Sequence, residues 1–262
     1  MKEFVACFHL FFDRSIMSNF FHSVTKLLYN IYLEIRSMIS SNDLLYPSFV
    51  RVLSCSRPRQ KYLIVVEDTE VVIEGVPRSA NTFFSAWFTI AQNRPVRIAH
   101  HLHESYQVRY AEKNRIPCIL LIREPLDTVI SAMQRDSRVM PASHLRNYIR
   151  FYRNALFYRR RCIVATFSET ISSPNTVIVK LNTEYGTDFL TLPEGRSLEV
   201  TKEVQRRDKV SLGSLANDVT RLASPSEEKA RQKAELSLIV STKYPKLLAA
   251  ARELYAQAAK LT

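Results

Sequence analysis

Val71-Val72-Ile73-Glu74-Gly75-Val76-Pro77-Arg78-Ser79-Ala80-Asn81-Thr82-Phe83 is the stretch on which the reading of this chain turns. Its apolar start is strand-like, Gly75 to Ala80 form a loop, and the apolar residues from Phe83 to Gln92 recur at helical spacing. A strand–loop–helix unit brings unpaired backbone N–H groups and the positive end of a helix dipole to one point, which suits an anion. Arg78 adds a planar charge there, and Ser79, Asn81 and Thr82 add side-chain donors. The G-x-x-x-x-G-K-[ST] pattern of a Walker loop is absent, which disfavours an ATP-driven kinase.

A second unit of the same kind lies downstream. Pro117–Ile122 (PCILLI) is a continuous apolar run, as expected of a strand buried on both faces. It leads into Arg123-Glu124-Pro125-Leu126-Asp127-Thr128-Val129-Ile130-Ser131. Arg123 leaves the strand end, where a guanidinium can hold a phosphate in a bidentate manner. Pro125 opens a helix, Asp127 sits in its first turn, and Ser131 follows one turn on with a hydroxyl for the same anion.

Around these units the chain alternates strands and helices. Lys61–Val66, Glu70–Glu74, Val96–Ala99, Pro117–Ile122 and Cys162–Thr166 read as strands. Phe83–Gln92, Glu104–Asn114, Leu126–Arg135, Ser143–Arg161 and Pro174–Tyr185 read as helices, the last stopped by Gly186. Ser224-Pro225-Ser226-Glu227 carries a capping-box signature and predicts a helix to about Val240, with another from Pro245 to the terminus. Such alternation predicts an α/β fold with a mainly parallel sheet and a ligand at the carboxyl ends of its strands.

The two loop motifs resemble those of sulfotransferases that use 3′-phosphoadenosine 5′-phosphosulfate, of the small bacterial type. Pro77, Arg78, Ser79, Asn81 and Thr82 match the phosphosulfate loop P-[KR]-S-G-[TN]-T, with Ala80 in the glycine position. If that position has positive φ, Ala80 costs about 1 kcal/mol. Arg123 to Ser131 match the 3′-phosphate motif R-x-P-x-D-x-x-x-S at every defined position. The resemblance runs from about residue 70 to about 190. It implies a three-layer P-loop-like domain over 59–262, with helical extensions at both ends, the N-terminal one covering 1–58.

By the same resemblance, Arg78, Ser79, Ala80, Asn81, Thr82, Phe83, Arg123 and Ser131 are expected to bind the nucleotide. Phe167 stands at the tyrosine of the family's Y-E-D-L turn and can pack on adenine without donating a hydrogen bond. The late G-x-x-G-x-x-K loop is not recognisable. Arg206, Arg207 and Lys209, near Gly213, are candidate replacements, with Arg207 the one favoured, and a solvated basic loop is the competing reading.

Half of the six histidines fall in His100-His101-Leu102-His103, ahead of Glu104. His101 and His103 alternate as strand ligands to a metal would, yet no third ligand is evident, and the family's chemistry needs no metal. The family carries K-T-H-L-P here, its histidine acting as general base. His101-Leu102 aligns with H-L, the lysine falls at Ala99 and the proline at His103. His101 and Arg78 are therefore the expected catalytic residues, with Glu104 the runner-up base.

The bulk properties agree. The chain has 262 residues, enough for one α/β domain with extensions, and a net charge of +12, which favours a polyanionic partner. Its four cysteines include no C-x-x-C pair, as expected of a reducing, cytoplasmic setting. The apolar run from Phe4 to Phe12 is too short to span a bilayer. Met17, Phe20, Phe21, Val24, Leu27, Leu28, Ile31, Ile35, Met38 and Ile39 then recur at helical spacing. They predict an added helix packed on the domain, dispensable for nucleotide binding but not for acceptor use, or a helix peripheral to a membrane surface. The function the resemblance implies is sulfuryl transfer to a hydroxyl or amine of a carbohydrate, lipid headgroup or small alcohol. Two alternatives are a non-catalytic nucleotide-binding relative and a nucleic-acid binder using the arginines of 146–161, although no nucleic-acid module accompanies them and none is expected as a partner.

Overall fold

Two strands buried along their whole length form the centre of the sheet: β1 (Val71–Glu74) and β3 (Cys118–Ile122). They pair in parallel, with Val72 opposite Cys118 and Glu74 opposite Leu120. Strand β2 (Ile98–His100) adds to the outer edge of β1, and β4 (Ile163–Thr166) to that of β3. The order β2-β1-β3-β4 is parallel throughout. The chain is a computed structural model that describes residues 14–42, 44–56, 63–218, 221–222 and 226–262.

Helices α1 (Arg14–Ile39) and α2 (Leu45–Ser56) precede the sheet, and α3 (Asn81–Ala91), α4 (Ser105–Asn114), α5 (Pro125–Arg135) and α6 (Pro141–Phe157) are threaded through it. After β4 come α7 (Phe167–Ser172), α8 (Pro174–Tyr185), α9 (Ser197–Leu212), α10 (Glu227–Lys243) and α11 (Pro245–Ala259). The period-2 alternation of the strands builds two separate cores. Val72, Leu120, Ile122 and Val164 face α4, α6 and α11, where they meet Val108, Tyr152 and Leu248. Val71, Ile73, Ile119 and Leu121 face α3 and α8 through Phe84, Phe88, Val177 and Leu181. The result is the three-layer α/β architecture expected from the sequence.

This topology fixes where a ligand goes. The connection from β1 to β2 leaves on one side and that from β3 to β4 on the other, so a crevice opens between the carboxyl ends of β1 and β3. Both loop motifs empty into it. Gly75 is needed for this closeness, because a Cβ at that position would collide with the Leu121 carbonyl of the neighbouring strand.

Some expectations need correcting. Residues 61 and 62 lie outside the described residues, and 63–66 form no strand. Side chains take the N–H groups a strand partner would have taken: Gln107 Oε1 accepts from Val65 at 2.5 Å and Thr69 Oγ1 from Val66 at 2.9 Å. The basic stretch with Arg206, Arg207 and Lys209 is the regular helix α9, closed by Gly213 at φ 56°, rather than a loop. Ser224 and Pro225 of the capping signature lie outside the described residues, and Ser226 caps α10 by accepting from the Lys229 N–H at 3.3 Å.

Helix α1 packs on the domain as expected, but through its polar face. Asn30 bridges the Arg138 carbonyl (2.7 Å) and the Met140 N–H (3.0 Å). Arg36 donates to the buried Glu104 at 2.5 Å and to the Leu102 carbonyl at 2.7 Å. Arg109 returns two bonds to the carbonyls of Ser40 and Ser41. In α2, Tyr46 is fully buried against Tyr106, their rings 4.7 Å apart. Among the described residues no helix is long and apolar enough to cross a membrane.

Candidate functional site

The loop after β1 turns sharply because two of its residues are left-handed. Arg78 has φ 75° and Ala80 φ 70°, and Asn81 opens α3 while its side chain donates back to the Val76 carbonyl at 3.0 Å. Two non-glycine residues in this region store backbone strain, which the surroundings must hold in place. The turn aims Arg78 across the crevice, where its Nε donates to Ser131 Oγ at 2.9 Å.

Arg123, at the end of β3, closes the other side. Its Nη1 donates to the Arg78 carbonyl at 2.9 Å, its guanidinium lies 4.0 Å from the centre of the Phe167 ring, and its own carbonyl accepts from the Tyr148 hydroxyl at 2.9 Å. Its Nε is buried without a hydrogen-bond partner. Ser79 Oγ is buried beside the Tyr152 phenol without a well-formed hydrogen bond to it, the phenol donating instead to the Leu121 carbonyl at 2.7 Å. Orphaned buried donors of this kind call for a ligand atom.

Electrostatics gives the sign of that ligand. Burial lowers the pKa of Arg78 to about 10, with Arg135 and Arg123 adding to the effect and Asp208 opposing it. Lys229, at the start of α10, is brought down to about 8 by burial and then by Arg78, with Asp208 opposing and Arg135 and Arg123 contributing. Arg78, Arg135 and Lys229 thus converge around Asp208, which already binds Arg135 at 2.7 Å, and Arg123 adds its charge to Arg78 and Lys229. An anion that enters relieves this crowding.

The loop after β2 is tied to the same place by Glu74, the last residue of β1. Its fully buried carboxyl accepts from the N–H groups of Leu102 and His103 (3.0 Å each) and from Gln107 Nε2 (2.8 Å). Burial raises its pKa to about 8 against the pull of those donors. His101 and His103 adopt φ 60° and 58° to make the turn. His101 Nε2 lies 3.0 Å from Thr82 Oγ1, its Nδ1 touches His100 Nδ1, and His103 Nδ1 is bonded to the Gly75 carbonyl at 2.7 Å. Burial holds the His101 pKa well below its ordinary value, helped by His100, His103 and Arg207.

The structure therefore brings Arg78, Ser79, Ala80, Asn81, Thr82, Arg123, Ser131 and Phe167 together, with His101 joined through Thr82. Arg207 approaches from α9, donating to Ser85 Oγ at 3.0 Å and pairing with Glu203. Phe83 turns away into an apolar cluster with Trp87 and Val204. Ala99 is buried within β2. Glu104, the runner-up base, is engaged by Arg36 instead. His144, Arg135 and Lys229 were not anticipated. Arg135 stands one turn beyond Ser131 on α5, a spacing visible in the sequence, whereas Lys229 and His144 arrive by tertiary packing alone. His144 is buried with its Nε2 unbonded, and its pKa falls to about 4 through burial, His103 and Arg78. Among the described residues no group of three or more His, Cys, Asp or Glu is placed to hold a metal.

No family model and no curated protein matches the chain. Among solved structures, that of mouse sulfotransferase SULT7A1 complexed with PAP is similar at a TM-score of 0.42 and 13% identity, covering 84% of this chain and 96% of that one.

Proposed function

We propose that this protein binds a 3′-phosphorylated adenine nucleotide and transfers the sulfuryl group of 3′-phosphoadenosine 5′-phosphosulfate to an acceptor hydroxyl or amine. The observation that carries the reading is the meeting of the two motifs. Arg78 and Ser131 are hydrogen-bonded, Arg123 closes on the Arg78 carbonyl, and the Phe167 ring centre lies 4.0 Å from the Arg123 guanidinium. In this reading Arg123 and Ser131 hold the 3′-phosphate, Phe167 faces the adenine, and Arg78 with the donors of Ser79 to Thr82 takes the 5′ side.

The acceptor oxygen or nitrogen attacks sulfur as the bond from sulfur to the bridging phosphate oxygen breaks, leaving adenosine 3′,5′-bisphosphate. Negative charge grows on that bridging oxygen, and preorganised donors in a buried site lower the barrier more than they would in water. Arg78 is half-buried and already positioned by its bond to Ser131, so little reorganisation is needed. The acceptor's proton goes to His101, the general base. A neutral imidazole is ready to accept it at neutral pH, and the negative charge of a bound nucleotide raises its basicity. Arg207, the cation nearest His101 from α9, supplies charge that the family's lysine, absent at Ala99, would supply.

One observation favours a second reading, a nucleotide-binding relative that does not turn over: Ala99 is packed into the sheet, and no side chain from that position reaches the crevice. Transfer of ³⁵S from labelled donor to a panel of carbohydrate, lipid-headgroup and small-alcohol acceptors separates the two. Labelled product supports the enzyme, and nucleotide binding with no product on any acceptor supports the relative.

A further inference from the structure

Helix α1 shows water the face that a soluble helix normally hides. Phe21, Leu28, Ile31, Ile35 and Met38 are between 44% and 59% exposed, and Leu27 lies beside them. Their spacing keeps them on one stripe, about 26 Å long at 1.5 Å per residue. The opposite face is already committed through Asn30, Arg36 and Ser37. The stripe is therefore not a core face awaiting this domain.

What borders the stripe identifies its occupant. Glu34 is one helical turn from Ile31 and Met38, at the stripe's edge. It is held by Arg146 at 2.7 Å and Arg150 at 2.9 Å, so the arginine face of α6 runs alongside that edge. The face continues with the exposed Arg153. Among the described residues one acidic side chain, Glu34, answers both Arg146 and Arg150, within a chain of net charge +12. An uncharged stripe flanked by a basic row matches an anionic bilayer, whose acyl boundary takes the aliphatic and aromatic side chains while its headgroups take the arginines. A second copy would set like charge against like.

We infer that α1 docks this protein on anionic membrane surfaces, lying in the interface with Phe21, Leu28, Ile31, Ile35 and Met38 inserted and the Arg146–Arg153 face on the headgroups.

The test is co-flotation of the full-length protein with vesicles of phosphatidylcholine alone or mixed with phosphatidylserine, at low and high salt, with light scattering of the protein alone. Wild type should float with the phosphatidylserine vesicles and at least tenfold less with phosphatidylcholine or at high salt. The double variant Leu28→Ser/Ile35→Ser should lose at least tenfold while keeping its circular dichroism, and Arg153→Glu should weaken flotation severalfold. Wild type that does not float, or flotation indifferent to the Leu28→Ser/Ile35→Ser change, overturns the inference. So does a stable dimer that this double change dissolves, since the stripe would then belong to a second copy.

Discussion

Arg78 Nε donates to Ser131 Oγ at 2.9 Å, a bond between residues 53 positions apart. It joins the loop after β1 to the helix after β3, and so makes one anion site of two motifs that are separate in sequence. The bond uses only one edge of the Arg78 guanidinium. Ser131 in turn is oriented by an arginine before any ligand arrives, which reduces the ordering cost of binding.

Ala80 is the departure from the motif whose cost is now plain. At φ 70° it occupies a backbone region that glycine enters without strain. Ala80→Gly should stabilise the protein, by roughly 0.5–1 kcal/mol, and leave the ordinary fold intact. Thermal melts of the pair check this, and a lower Tm for the glycine variant would show that the loop is held in this conformation at no cost to alanine.

The Arg36–Glu104 pair makes the N-terminal helix part of the fold's interior wiring. Truncating Arg36 to alanine leaves Glu104 buried without its ion-pair partner, with only the Ser40 hydrogen bond remaining, a loss on the order of 3–5 kcal/mol. The double change Arg36→Ala/Glu104→Gln should recover much of that loss. Denaturant unfolding of the four forms measures it. A loss below about 1 kcal/mol in the single variant would mean Glu104 finds water or another partner, and would restore α1 as a detachable cover.

His144 should make the protein acid-sensitive. Its folded pKa, about 4, lies below the ordinary histidine value of 6.5, so the unfolded chain binds the extra proton first as pH falls. Its contribution is full above pH 6.5 and is lost as pH falls toward 4, at roughly 1.4 kcal/mol per unit. Glu74 works in the opposite sense, its carboxyl raised to about 8 and its stabilisation lost as pH rises from 4.5 through 8. Comparing wild type with His144→Phe isolates the histidine: the difference in stability between pH 7 and pH 4.5 should shrink in the variant. An unchanged difference would place the acid sensitivity elsewhere.

His101→Ala should lower turnover roughly 100-fold or more and leave nucleotide affinity almost unchanged. Because burial and its neighbours hold the His101 pKa down, the acidic limb of the pH–rate profile should lie below pH 6.5 and vanish in the variant. Retained turnover in the variant would remove His101 from the chemistry.

Much of the fold was legible because its signals are local. PCILLI could only be a strand buried on both faces, and Gly186 stops α8 in the left-handed conformation that its position predicts. The anion loops were legible for the same reason, each being a strand end followed at once by a helix start. What escaped depends on contacts distant in sequence. Gln107 and Thr69 satisfy the 63–66 backbone and so remove a strand, Arg36 inverts the face by which α1 docks, and Lys229 and His144 come near Arg78 from helices that carry no anion-binding motif. Phe83 lies in the right sequence window and faces the wrong way, because α3 needs it against Trp87 and α9.

Calorimetric titration of adenosine 3′,5′-bisphosphate and adenosine 5′-phosphate into wild type and Arg123→Ala tests the nucleotide reading most directly. A charge-assisted contact of this kind is worth about 1.5–3 kcal/mol, so wild type should bind the bisphosphate at least tenfold more tightly, and Arg123→Ala should erase most of that margin. Equal affinity of wild type for the two nucleotides, or a margin that survives loss of Arg123, would contradict a 3′-phosphate site at the end of β3.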